Sequence, residues 1–176
     1  MNDPDDPTPP TGTNLKKGSA AVNRAWEQLL QEQAELAEDR RSEGWSVTTV
    51  EASHTDPVTK DMGDHDRFGL MHVVSKSDGE AFSDAYDPET FTEFLAYASP
   101  IEGRRFGVTE LIDPNAEHSI LIAYEYPLER AGGLADNAKE HGAIYTHVKK
   151  IDGTILGTFE HENYEPLLPI PPASDE

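Results

Sequence analysis

The stretch Ala143 to Pro169, AIYTHVKKIDGTILGTFEHENYEPLLP, constrains the fold more than any other part of the chain. Ile144 to Ile151 and Thr154 to His161 are β-rich runs separated by Asp152-Gly153. Asp-Gly between two such runs is the strongest short hairpin signal, because a type I′ turn needs φ > 0 at both central residues. With Ile151 facing Thr154, Lys150 falls opposite Ile155, Val148 opposite Gly157, Thr146 opposite Phe159 and Ile144 opposite His161. Ile144, Val148, Ile155 and Phe159 then form a core face. Tyr145, His147, Lys149, Leu156, Thr158 and Glu160 form a mostly polar face that reads as free. Gly157 opposite Val148 leaves room for a close neighbour such as a helix.

The run Tyr145-Thr146-His147-Val148, then Phe159-Glu160-His161, then Glu165-Pro166-Leu167-Leu168-Pro169 resembles the end of a family of small haloarchaeal proteins. That family is a domain of unknown function. The similarity extends back through the preceding helix to the Glu43-Gly44-Trp45 turn, and covers about Trp26 to Pro169. The resemblance implies a source and a fold boundary, and no reaction.

Charge supports that source. The chain has 34 Asp and Glu against 14 Lys and Arg, a net charge of −20 over 176 residues. The acid is spread along the chain rather than gathered in one tail. At molar salt the Debye length is about 3 Å, so repulsion among surface carboxylates is screened. A distributed acidic surface therefore suits a halophile's cytosol, and at low salt its self-repulsion should loosen the compact state. The rival is an acidic mimic of nucleic acid or a binder of basic partners. Nucleic-acid binding itself is disfavoured, since only Arg40-Arg41, Arg104-Arg105 and Lys149-Lys150 offer even basic pairs. The absence of cysteine excludes disulfides, Cys-ligated zinc and thiol chemistry. No apolar run approaches transmembrane length, and the polar start is no signal peptide. A cytoplasmic protein with no membrane contact is expected.

Residues 1–18 are proline-rich and read as a disordered tail, residues 19–169 as one domain, and residues 170–176 as a loose end. Ser19 caps a helix whose stripe is Val22, Trp26, Leu29, Gln33 and Leu36, joined by Ala25, Leu30 and Ala37 and closed by Gly44. Trp45 to Ala52 reads as a strand and Ser53 to Arg67 as a long polar loop. Phe68 to Lys76 and Glu80 to Tyr86 read as a second hairpin, turning at Asp78-Gly79, with His72 as a hydrogen-bonded core residue. Asp87-Pro88 opens a helix with the stripe Phe91, Phe94, Leu95 and Ala98, stopped by Pro100. Arg104 to Ile112 pairs with His118 to Tyr126, and Leu128 to His141 is helical. The sum is an α+β fold: a largely antiparallel sheet of about six or seven strands built from hairpins, with two or three helices packed on it.

No catalytic signature is present: no Gly-x-Ser-x-Gly, no His-Glu-x-x-His, no phosphate loop and no dinucleotide fingerprint. No cofactor is implied. The binding candidates are Tyr145, His147, Thr158 and Glu160, clustered on the polar face of the last hairpin. His161 and His118 have weaker claims. His54, Asp56, Asp61, Asp64, His65 and Asp66 could hold a cation, but without EF-hand or zincin spacing. The leading functional expectation is a non-enzymatic binding or regulatory module acting through a protein partner. The alternative is a small enzyme or metal-binding protein using His147 with Glu160, or the His54–Asp66 loop.

Overall fold

The computed structural model describes residues 19–59 and 68–168. They form α1 (Ala20–Ser42), β1 (Ser46–Val58), β2 (Gly69–Val74), α2 (Lys76–Ala85), β3 (Glu93–Ile101), β4 (Arg104–Asp113) and β5 (His118–Pro127). A 3-10 turn, Leu128–Ala131, leads into α3 (Gly132–His141), then β6 (Ile144–Lys150), β7 (Ile155–His161) and a 3-10 turn at Glu165–Leu167. The strands make one seven-stranded sheet in the order β3-β4-β5-β1-β2-β6-β7. The β5–β1 and β2–β6 pairs are parallel and the other four antiparallel. The expected α+β class and strand number hold.

The sheet curls until its two ends meet through side chains. Phe94 of β3 stands edge-on to His161 of β7, ring centres 4.3 Å apart, and 5.9 Å from Phe159. Two bulges assist the bend, one near Ser53 in β1 and one between Val148 and Lys149 of the β6–β7 pair. The inward face carries Val50, Leu70, His72, Val74, Ile120, Ile122, Tyr124, Tyr126, Ile144 and Val148, all buried. Phe82 of α2 closes one part of this core; Leu134 and Ala138 of α3 with Leu167 and Leu168 close the other. On the outer face, α1 lies across β4, β5 and β1, burying Val22, Leu29 and Ala37 against Phe106, Val108, Leu121 and Ala123. Ser19 caps α1 by accepting from the Val22 amide at 3.0 Å. Gln33, within the apolar stripe, donates to the carbonyls of Val50 and Leu121 and ties the parallel β1–β5 pair to the helix.

Several expected elements are corrected. The Asp78-Gly79 turn does not exist: Lys76–Ala85 is a helix. Ser75 caps it through the Asp78 amide at 3.2 Å, and Asp78 favours the N-terminal turn electrostatically. The helix expected after Asp87 is a single turn, in which the Thr90 and Phe91 amides donate to the Asp87 carbonyl. Glu93–Ile101 is instead an edge strand. Its apolar residues fit period 2 as well as 3.6, and pairing with β4 decides. The polar loop begins later than expected, because Ser53 to Val58 extend β1.

The last hairpin forms, with a different turn. Only Gly153 has positive φ there, and the amides of Gly153 and Lys150 bond back to Lys150 and Thr154. This is a type I turn followed by a left-handed glycine, which adds a residue and shifts the register. Lys149, not Lys150, faces Ile155. Ile155 therefore leaves the core face and is 47% exposed. Beyond the bulge the expected pairs hold: Val148 with Gly157, Thr146 with Phe159, Ile144 with His161. The turn with positive φ at both central residues is Glu102-Gly103, between β3 and β4. Gly157 does admit a helix: a Cβ there would lie 2.8 Å from the Phe82 ring and 2.9 Å from Tyr86, both presented by α2 and its end.

Candidate functional site

The register brings the four binding candidates together on the outward side of the last hairpin. Tyr145 faces Glu160 and His147 faces Thr158 across the pair. His147 Nδ1 lies 2.9 Å from Thr158 Oγ1, and its ring stacks near that of Tyr145, which in turn neighbours His141. The face is not free at its centre, since His147 is only 5% exposed. Glu160 is exposed and Thr158 half-buried.

The other histidines separate by the face they occupy. His72 is a core residue, as expected, with Nδ1 2.8 Å from Thr55 Oγ1. His161 is fully buried too, with Nε2 2.7 Å from Thr146 Oγ1. Burial pushes both down to about 3, helped at His72 by nearby His147 and at His161 by His72. Both are neutral at ordinary pH. His118 Nε2 pairs with Thr48 Oγ1 at 3.0 Å, and burial lowers its pKa against the opposing pull of Asp113.

Of the acidic-loop candidates, His54 and Asp56 lie on β1, 2.9 Å apart, and Asp56 also pairs with Arg130 at 3.2 Å. Asp61, Asp64, His65 and Asp66 lie outside the described residues. Among the described residues no three His, Asp or Glu side chains gather closely enough to hold a metal.

A buried charge network went unread in the sequence. Glu110 of β4 has no exposed side-chain surface, and Arg40 near the end of α1 grips both its oxygens at 2.7 and 2.9 Å. Ser119 and Tyr97 donate to the same carboxylate at 2.7 and 3.0 Å. Burial alone would raise the Glu110 pKa, but these donors and the guanidinium charge hold it below the ordinary range. The signal was a lone acid among apolar residues, Phe106 to Ile112, on the strand face that α1 must cover.

Among the clefts of the described surface, two bear on the candidate residues and on the uncovered strand β3. The first, about 450 Å³, runs between α1 and β3. Leu29, Leu36, Phe106 and Val108 floor it, Tyr97, Ser99 and Ile101 form one wall, and Glu32, Glu35 and Asp39 rim the other. It exists because α1 covers β4, β5 and β1 but not β3. Leu95, Tyr97 and Ile101 share this outward face of β3 and are 46, 39 and 36% exposed. The second cleft, about 530 Å³, lies in the seam where β3 approaches β7. Tyr86, Phe91, Phe94 and Phe159 line it with Thr158, Glu160, Glu162 and Asn163. Two of the four candidates of the last hairpin thus border a cleft.

Fold and clefts together define an α+β protein built on one curled sheet, with recesses where its helical cover ends. The chain belongs to DUF7529, a family of unknown function, which it matches over residues 12–169. No curated protein and no solved structure matches it. Among the described residues no helix is long and apolar enough to cross a membrane.

Proposed function

We propose that this chain is a non-enzymatic binding module that docks a basic amphipathic helix of a partner protein in the groove between α1 and β3. The observation that carries the reading is an apolar strip on an uncovered edge strand, bordered by carboxylates. The α1 wall from Ala25 to Asp39 runs for about 21 Å at 1.5 Å per residue, enough for a helix of four turns. A helix laid beside α1 at about 8–10 Å would cover Leu95, Tyr97 and Ile101. Lysine or arginine on its flank would meet Glu32, Glu35 and Asp39. Residues 1–18 are poor occupants because they are nearly devoid of apolar side chains. A second copy would bring another net charge of −20 and a second acidic rim.

The acidic composition suits work in a concentrated-salt cytoplasm, as the resemblance to haloarchaeal proteins implies. Salt at that level leaves contact ion pairs and the apolar floor as the sources of affinity. A thermal midpoint rising steeply from dilute buffer to molar KCl supports this setting; an indifferent midpoint removes it.

Two synthetic helical peptides test the docking, with one apolar stripe in common and either lysine or glutamate on the flank. Three contact pairs at about 0.3–0.5 kcal/mol each give the lysine peptide roughly a tenfold advantage. Leu36→Glu should abolish binding of both. Equal affinity for the two peptides, no binding of either, or self-association through this face would each contradict the proposal.

A further inference from the structure

We infer that the seam cleft between β3 and β7 is a site for a small organic ammonium ion. This goes beyond the docking groove, which lies on the other side of β3. Four aromatic residues, Tyr86, Phe91, Phe94 and Phe159, form the cleft walls and floor, and two carboxylates, Glu160 and Glu162, stand at its rim. Among the described residues no lysine or arginine lines it. The negative faces of aromatic rings attract cations, and carboxylates beside them add charge without closing the space.

The aromatic walls are fixed before any ligand arrives. Tyr86 donates its hydroxyl to the Thr158 carbonyl at 2.9 Å, which orients its ring. That ring lies 4.9 Å from Phe82 and 5.5 Å from Phe91. Burial and then Asp87 push the Tyr86 phenol up to about 12, so it stays a protonated donor. Phe94 is held edge-on by His161 at 4.3 Å and by Phe159 at 5.9 Å. A volume of about 530 Å³ is in the range of small-molecule sites.

Other ligand classes fit less well. An anion would face Glu160 and Glu162 with no balancing cation among the described lining residues. A divalent metal would find no third His, Asp or Glu among the described residues. A neutral apolar ligand would gain nothing from the carboxylates. A methylated ammonium is weakly hydrated and spreads its charge over its methyl groups. It therefore matches an aromatic wall better than K⁺ or Na⁺ does.

Choline and its neutral carbon analogue 3,3-dimethylbutan-1-ol are suitable probes, followed by proton NMR of the aromatic rings. Saturable choline binding is expected, with the analogue about tenfold weaker or more. The affinity should hold within about threefold as KCl rises from about 0.5 to about 2 M, because a counterion loosely held by the acidic surface would be screened away. Phe94→Leu keeps an apolar side chain but removes the π face, and Glu160→Gln removes a surface charge. Each should weaken choline about fivefold or more; Glu160→Gln should leave the thermal midpoint close to that of the parent, whereas Phe94→Leu should lower it, since Phe94 also packs on both core clusters. Equal binding of the two probes, binding lost in parallel with salt screening, or unchanged binding in both variants would overturn the inference.

Discussion

The inner and outer faces of the curled sheet solve different problems. The inner face is closed by α2, α3 and the chain after β7, and it keeps two histidines neutral. Among the described residues the outer face has one helix, anchored by the Arg40–Glu110 pair, and that helix stops short of β3. The two inner histidines are buried neutral, whereas the charge of Glu110 at the α1 junction is tolerated because both its oxygens are met. The inner face is thus held by apolar closure, and the outer face by one charge-anchored helix that leaves β3 uncovered.

Glu110→Ala should have the largest effect, about 3 kcal/mol or more in denaturant unfolding, by leaving Arg40, Ser119 and Tyr97 without their shared acceptor. Glu110→Gln should lose less. A loss under 1 kcal/mol for Glu110→Ala would erase the contrast between the two faces, since the roughly 3 kcal/mol expected rests on that shared acceptor.

The inner histidines should set an acid limit. Unfolded, each takes up a proton near 6.5; folded, each resists protonation down to about 3. The unfolded state thus binds more protons in that window. The stability contribution is complete above about 6.5 and declines as pH falls toward 3, by up to about 2–3 kcal/mol per pH unit for the two together. Urea midpoints between pH 7 and 5 check this, and His72→Gln with His161→Gln should flatten the dependence. An unchanged slope in the double variant would place the titration elsewhere.

His147 sharpens the comparison from the outer side. Its burial and its bond to Thr158 predict a loss of about 1–2 kcal/mol for His147→Ala, rather than the neutral change an exposed side chain would give. The smallest stability effect belongs to Ile101→Asp, within about 0.5 kcal/mol, because the residue is exposed on an edge strand. That variant should nevertheless lose the peptide.

Much of this architecture is legible in the residues, and the failures have physical causes. The stripe of α1, the β4–β5 pair and the last hairpin each combine strong periodicity with clear end signals. Asp-Gly is ambiguous where it recurs. At 152–153 it lies between β-branched runs and turns the chain. At 78–79 it sits three residues into a helix that Ser75 caps and Phe82 anchors. The stretch after Asp87 carries apolar residues at both periods, so only the neighbouring strand distinguishes them. The cross-strand cluster of Tyr145, His147, Thr158 and Glu160 follows from hairpin register alone. Its burial does not, because exposure depends on distant parts of the chain. The clefts arise from where α1 ends its cover and where β3 meets β7, and neither relation is local in sequence.

The most direct measurement is amide hydrogen exchange of the protein with and without the lysine-flanked peptide. Docking in the groove predicts new protection confined to residues 25–39 of α1 and 95–101 of β3, with β6 and β7 unchanged. Protection centred on Tyr145 to Lys149, or binding with no protection along β3, would contradict the account.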